Sequence, residues 1–108
     1  MGFFDMLFGG SNFSEYVEQA KENGATLVDV RSEGEFANGH IEGAINIPLN
    51  SFHRASKKLR DKDATIYIYC ASGSRSGSAA NALKSMGYTD VTNIGGIGFY
   101  RGAVVAGK

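Results

Sequence analysis

Apolar residues in this chain fall in short runs separated by polar turns. Four of these runs, Thr26–Val30, Ala44–Ile47, Thr65–Tyr69 and Val91–Ile94, are rich in β-branched residues and short enough for strands. The segments between them read as helices. Asn12 with Glu15 three residues on has the spacing of a helix cap, predicting a helix from Phe13 to about Glu22, closed by Gly24. Ser32 and Glu35 repeat that spacing and predict a one- to two-turn helix through Phe36, ending near Asn38 and Gly39. Pro48 stops the second strand, Ser51 to Arg60 looks helical, and Asp61 to Asp63 makes a turn. A further helix spans Gly77 to Met86 and stops at Gly87; Gly95 and Gly96 then turn into a short helix around Phe99. Strands alternating with helices predict an α/β fold, a parallel sheet with helices on its faces. Ligands of such sheets bind beyond the carboxyl ends of the strands.

At 108 residues the chain has room for one domain, assigned to residues 12–108, behind a hydrophobic N-terminal arm at 1–11. Phe3, Phe4, Leu7 and Phe8 would share one face of a short helix, too short to cross a bilayer. The expected role of this arm is to pack on the domain or on a second copy of it, with Gly9, Gly10 and Ser11 as a hinge. A membrane-surface or partner-docking role is the alternative. Gly2 invites a myristoylation reading, but Met6 stands where Ser or Thr is required. Eleven basic and eleven acidic residues balance, which disfavours nucleic-acid binding through phosphate neutralisation. One cysteine and two histidines leave no internal disulfide and no metal-site spacing, so no metal or other cofactor is expected. The N-terminus has no basic region and no signal-length apolar core, and a lone thiol suits a reducing, cytoplasmic setting.

That thiol, Cys70, is the most informative residue. It follows a strand and precedes a glycine-containing segment that leads into a helix. A helix start carries partial positive charge and unpaired backbone N–H groups, both favourable to a thiolate. A cysteine held there ionises more easily and acts as a nucleophile. Lowering a thiol pKa also lowers its intrinsic nucleophilicity, so ionisation alone brings little rate. The larger benefit is a fixed nest of donors that holds a sulfur anion and the charge developing on a donor molecule. Gly73 suits such a loop because it accepts positive φ.

Three segments in order carry a resemblance to a known family. The first is Leu27-Val-Asp-Val-Arg31 with Glu35-Phe36 and Gly39-His40-Ile41 through Pro48. The second is Ile68-Tyr69-Cys70-Ala-Ser-Gly73-Ser-Arg75-Ser76, running on through Ala79, Ala80, Leu83 and Gly87-Tyr88. The third is Asn93-Ile94-Gly95-Gly96-Ile97. Together, over about residues 12 to 102, they resemble the rhodanese-like domain of single-domain thiosulfate sulfurtransferases. The resemblance implies a rhodanese-like fold with a central parallel sheet of about five strands. It also implies a chemistry: a cysteine thiolate takes the outer sulfur of a donor such as thiosulfate, becomes a persulfide, and passes that sulfur to a thiol or cyanide. Cys70 would be the nucleophile, Ala71, Ser72, Gly73, Ser74 and Arg75 the substrate-binding loop, and Arg75 its rim. A thiol protein or a desulfurase is the implied macromolecular partner.

Four residues separate Cys70 from Arg75. Cysteine phosphatases and arsenate reductases place five there, so the shorter loop favours sulfur over a phosphoryl group. Two departures from the family pattern matter. Ala71 and Ser72 stand where many rhodaneses carry Arg or Lys, and Glu35 stands where the two-domain enzymes often have a thiosulfate-binding Arg. Both departures weaken attraction for a dianion. A non-catalytic carrier or partner-binding module is the alternative of a different class.

Other polar residues have two readings. Asp29 and Arg31 at a strand end are either supporting site residues or a structural ion pair. His40 is expected to be a structural hydrogen-bonded histidine, because attack by a preformed thiolate needs no general base. His53 is expected on an exposed helix face. Ser72, Ser74 and Ser76 either bond a bound oxyanion or cap the helix.

Overall fold

The computed structural model describes residues 9–107, with side chains from residue 13 onward. The apolar face of residues 3–8 and the Gly2 reading lie outside the described residues. Helix α1 spans Gly9–Asn23 and is followed by β1 (Thr26–Asp29), α2 (Glu33–Asn38) and β2 (Ile45–Asn46). A 3-10 segment at Leu49–Arg54 leads into α3 (Ala55–Lys58), β3 (Ile66–Cys70), α4 (Ser74–Ser85) and β4 (Val91–Gly96). A last 3-10 turn covers Ile97–Phe99.

The sheet has four strands in the order β2-β1-β3-β4, every neighbouring pair parallel. These are the four apolar runs, where the resemblance implied about five strands. A lone antiparallel bridge between His40 and Val105 ties the C-terminal segment to the body. The chain moves from β2 on one side of β1 to β3 on the other. The carboxyl ends of β1 and β3 are therefore neighbours at the point where the strand order switches, the place such sheets use for ligands.

Strand periodicity decides which way Cys70 faces. Ile66, Ile68 and Cys70 join one core with Val28, Val30, Phe52, Ala79, Ala80 and Leu83. Tyr67 and Tyr69 point to the opposite face, where they pack with Phe13, Val17, Leu27, Ile41 and Ile94. Cys70 thus shares its layer with α4, the helix whose N-terminus it precedes. Phe13 meets Tyr69 edge-on at 5.5 Å, fixing α1 to the other face.

The Ser32–Glu35 capping box forms as predicted. Glu35 N–H donates to Ser32 Oγ at 3.2 Å, and Ser32 N–H to Glu35 Oε1 at 3.0 Å. Three expectations shift. Helix α1 begins at Gly9, so residues 9–11 are helical backbone rather than a hinge, and Asn12 lies inside the helix rather than capping it. The Ser51–Arg60 helix is instead a kinked 3-10 segment followed by a single α-turn. Buried Phe52 and Ala55 are three residues apart, the period of a 3-10 turn, while Ala55 and Leu59 are four apart. Helix α4 starts at Ser74 rather than Gly77, because Gly73 at φ +105° reverses the chain at once and its carbonyl accepts the first helical bond, from Gly77 N–H at 3.1 Å.

Candidate active site at the end of strand β3

Cys70 is the last residue of β3 and is 1% exposed. Its sulfur accepts a hydrogen bond from Gly73 N–H at 3.0 Å and faces the Ser76 hydroxyl at 3.4 Å. Burial pushes the thiol pKa up. The Ser76 hydroxyl and the N–H groups of Ser76, Gly73 and Ser72 outweigh burial, and the net shift is downward. The N–H groups of Ser74 and Arg75 open α4 and have no carbonyl one turn back within the helix to bond. A sulfur anion at Cys70 therefore sits among donors without any cationic side chain in contact with it.

The loop is held from behind by β4. Asn93 accepts from Ser76 Oγ–H at 2.7 Å through Oδ1 and donates from Nδ2 to the Gly73 carbonyl at 3.1 Å. The same Oδ1 accepts from Gly95 N–H at 3.0 Å. A register shift makes this reach available: Ile68 pairs with Asn93, but Tyr69 pairs with Gly95, leaving Ile94 as an extra residue. Beyond the bulge Gly96 lies opposite Cys70, so close that a Cβ would overlap the Ala71 carbonyl and come within 2.6 Å of Ser72 Cα. Gly98 N–H donates to that carbonyl at 3.1 Å. Asn93 and Gly96 are positioning residues that the sequence pattern did not single out beyond their place in the third segment. The available signal was a polar residue within a short strand, two residues before the Gly95-Gly96 pair.

Ser76 is fully buried and has one proton for three acceptors: Cys70 Sγ, the Gly73 carbonyl at 3.1 Å and Asn93 Oδ1. Its position 3.4 Å from the Cys70 sulfur is one that neither the oxyanion-binding nor the helix-capping expectation for Ser76 describes. Ser72 and Ser74 are exposed on the outside of the loop.

Arg75 rims the loop but is engaged. It binds Glu35 through two parallel hydrogen bonds, Nη1–Oε1 at 2.8 Å and Nη2–Oε2 at 3.1 Å. Arg75, with the Ser32 N–H second, holds the Glu35 carboxyl down at about 2. Asp29 and Arg31 are likewise paired. Asp29 is fully buried and accepts from the backbone N–H, Nε and Nη2 of Arg31 at 2.7–3.1 Å. Arg31 Nη2 also donates to the Gly39 carbonyl at 2.7 Å. Both Asp29 oxygens and the Nε and Nη2 of Arg31 are spent on the turn after β1. His40 stacks on Phe36 with centroids 3.6 Å apart, and its Nδ1 lies 2.8 Å from the Phe36 carbonyl. His53 is exposed.

Between the ends of β1 and β3 lies an open cleft of about 410 Å³, lined by Val30, Ser32, Pro48, Leu49, Asn50 and Arg75. Among the described residues no three His, Cys, Asp or Glu side chains gather as a metal site.

Comparison with known proteins bears on the domain that carries this cysteine. A rhodanese-like domain model matches residues 13–99. The chain belongs to the rhodanese-like domain family. Thiosulfate sulfurtransferase PspE of Escherichia coli (strain K12) is 42% identical over 71 residues, covering 65% of this chain and 68% of PspE. The putative sulfur carrier protein YrkF of Bacillus subtilis (strain 168) is 38% identical over 68 residues, 63% of this chain and 36% of YrkF. A solved rhodanese with anions from E. coli superposes with a TM-score of 0.71 at 38% identity, over 77% of this chain and 99% of that one. No helix among the described residues is long and apolar enough to cross a membrane.

Proposed function

We propose that this protein is a rhodanese-type sulfurtransferase working by a ping-pong route through a persulfide on Cys70. The observation that carries the reading is the Gly73 N–H donating to Cys70 Sγ, with the Ser76 hydroxyl 3.4 Å from the same sulfur, at the mouth of an N-terminal nest. In the first half-reaction the Cys70 thiolate attacks the sulfane sulfur of thiosulfate or an organic persulfide. The donor S–S bond breaks, and sulfite or a thiolate leaves with the bonding pair. Donors that stabilise the Cys70 thiolate can then follow the charge to the outer persulfide sulfur. In the second half-reaction a thiol or cyanide attacks that outer sulfur and returns the thiolate. Sulfur moves without net oxidation, so the cycle needs no cofactor. The four-residue spacing from Cys70 to Arg75 supports sulfur over phosphoryl transfer. The working unit is the single domain at 12–108, in a reducing compartment such as the cytoplasm, with the arm at 1–11 outside the chemistry.

Likeness to a putative sulfur carrier supports a second reading, in which Cys70 ferries sulfur between proteins with little turnover on small molecules. Incubation with thiosulfate, removal of the excess and an intact mass should show one added sulfur, about 32 Da, that cyanide removes as thiocyanate. Cys70→Ser should show neither. Transfer retained in that variant sinks the enzyme reading. Loading only from a protein persulfide favours the carrier. Cys70-dependent hydrolysis of an aryl phosphate would restore the phosphatase alternative.

A further inference from the structure

The chain is neutral as a whole, but its charges divide between the two faces of the sheet. One face is covered by the 3-10 segment, α3 and α4, whose Phe52, Ala55, Leu59, Ala79 and Leu83 share a core with Cys70. No acidic residue occurs between Glu42 and Asp61, and α4 has none. Within that stretch Arg54, Lys57, Lys58 and Arg60 place four cations in seven positions, all exposed. Helix α1 covers the other face through Phe13, Val17 and Ala20, and turns Glu15, Glu18 and Glu22 to solvent.

The four cations lack the partners that other charges have. Among the described residues the ion pairs are Lys21–Glu18, Arg31–Asp29 and Arg75–Glu35. Lys58 reaches only a backbone carbonyl, that of Asn46 at 3.5 Å. Arg54 stands three and four residues before Lys57 and Lys58, the spacing at which like charges on a helix repel. It is also the N-cap of α3, the end where a cation is disfavoured. A cluster kept against its local electrostatics, in a chain with as many acids as bases, suits charge carried by another molecule. It is also close to the mouth of the site. Leu49 and Asn50, at the start of the 3-10 segment, line the cleft that Arg75 shares. Arg54 follows four residues on, no more than roughly 8 Å at the rise of such a helix. Arg75 itself is neutralised by Glu35, so the cluster supplies the field on this side of the mouth.

We infer that Arg54, Lys57, Lys58 and Arg60 form a docking surface for an acidic protein that exchanges sulfur with Cys70. The inference rests on the sulfurtransferase reading and adds the charge of the partner and the face it uses. Complementary fields steer and orient such a partner more than they tighten its binding, so encounter is fast and release is easy. A protein fits this surface better than a nucleic acid does. The stretch from Leu49 to Arg60 exposes no Phe, Tyr or Trp on which bases could stack. Once docked, the partner's cysteine thiolate bonds to the outer sulfur of the Cys70 persulfide. The S–S bond to Cys70 breaks, and Cys70 keeps its electron pair as a thiolate.

The test mixes full-length protein carrying one sulfur on Cys70 with three peptides and follows the sulfur by quenched intact mass. Each peptide has one terminal cysteine followed by glutamates, lysines or serines alternating with glycine. A length of about ten residues reaches roughly 33 Å when extended, enough to touch the cluster from Cys70. At low ionic strength the acidic peptide should take sulfur about tenfold faster than the basic one, and salt should close the gap. Flanking charge also shifts the peptide thiol, so a charge reversal of the protein is the deciding arm. Arg54→Glu combined with Lys57→Glu should reverse the order and leave transfer to 2-mercaptoethanol within about twofold. Equal rates for the three peptides, or an order that survives the reversal, overturn the inference while the sulfurtransferase reading stands. If Cys70 takes no sulfur from any donor, that reading fails, and anisotropy of labelled cysteine-free peptides decides the surface alone. Selective binding of the acidic peptide then supports it, and its absence overturns it. Tighter binding of a short single-stranded RNA, lost in the same reversal, would give the surface to nucleic acid and overturn the protein partner.

Discussion

Two strands end side by side in this fold, and the chain treats the two ends in opposite ways. After β1 it places an Asp and an Arg two residues apart and buries both, each spent on the other and on nearby backbone. After β3 it places a thiol and small neutral side chains, and leaves backbone N–H groups facing the sulfur. Charge concentrated in two side chains makes a rigid turn that is already satisfied. Charge spread over oriented amides makes a site, because it waits for an anion that is not part of the chain. The residues that look most catalytic by type, Asp29 and Arg31, are here paired with each other and with backbone.

The comparison breaks most decisively at its two anchors. Cys70→Ser should abolish sulfur transfer while thermal unfolding stays near that of the wild type; residual persulfide formation would move the chemistry elsewhere. Asp29→Ala should do the reverse. It leaves the Arg31 guanidinium buried without its partner and should cost about 3–5 kcal/mol in denaturant unfolding. The folded fraction should keep its Cys70 alkylation rate. A variant of normal stability with slow alkylation would instead place Asp29 in the site.

Gly96→Ala tests whether β4 sets the loop. The added Cβ overlaps the Ala71 carbonyl, so strand or loop must move, at about 1–3 kcal/mol. Because the loop is the softer element, transfer should fall further than stability. Measured together, equal losses would make Gly96 a packing residue only.

Much of this was written locally. The four strands, the Ser32–Glu35 capping box, the Gly73 turn and the place of Cys70 at a strand end follow from patterns within a few residues, which is why reading along the chain finds them. The pairings that tune the site span the fold. Ser76 meets Asn93 seventeen residues on, Gly73 meets Asn93 twenty residues on, and Arg75 meets Glu35 forty residues back. No periodicity encodes them, and the bulge that aims Asn93 exists only once β3 and β4 pair. Glu35 shows the difference well. As a sequence position it was an acidic residue where an Arg was expected; only the fold reveals that it occupies the Arg75 guanidinium. The start of α4 was displaced for a related reason. The left-handed Gly73 and its accepted bond from Gly77 decide it, and Ser and Gly have weak helix propensity of their own.

A smaller effect sharpens the account of the nest. Ser76→Ala removes the hydroxyl that helps hold the Cys70 thiol low while leaving the backbone donors in place. The inflection in a pH profile of iodoacetamide alkylation should move upward, and alkylation near neutral pH should slow. An unmoved inflection would assign the whole effect to the backbone. Asn93→Ala should move it in the same direction by less, since Asn93 acts on the sulfur only through Ser76 and the Gly73 carbonyl.

The smallest expected effect is in acid. Glu35 titrates near 2 in the folded chain and in the ordinary carboxylate range when unfolded, so the unfolded state takes up its proton first as pH falls. Its contribution is present in full above about pH 5 and is lost between there and about pH 2. Because the Arg75–Glu35 pair is roughly 40% exposed at both ends, solvent screening holds that contribution to about 1 kcal/mol or less. Glu35→Gln should therefore lose little stability at neutral pH and flatten the acid limb of an unfolding profile. It should also remove the salt dependence that the pair contributes. An acid limb unchanged in Glu35→Gln would mean that the rim of the Cys70 loop does not set the acid limit of this fold.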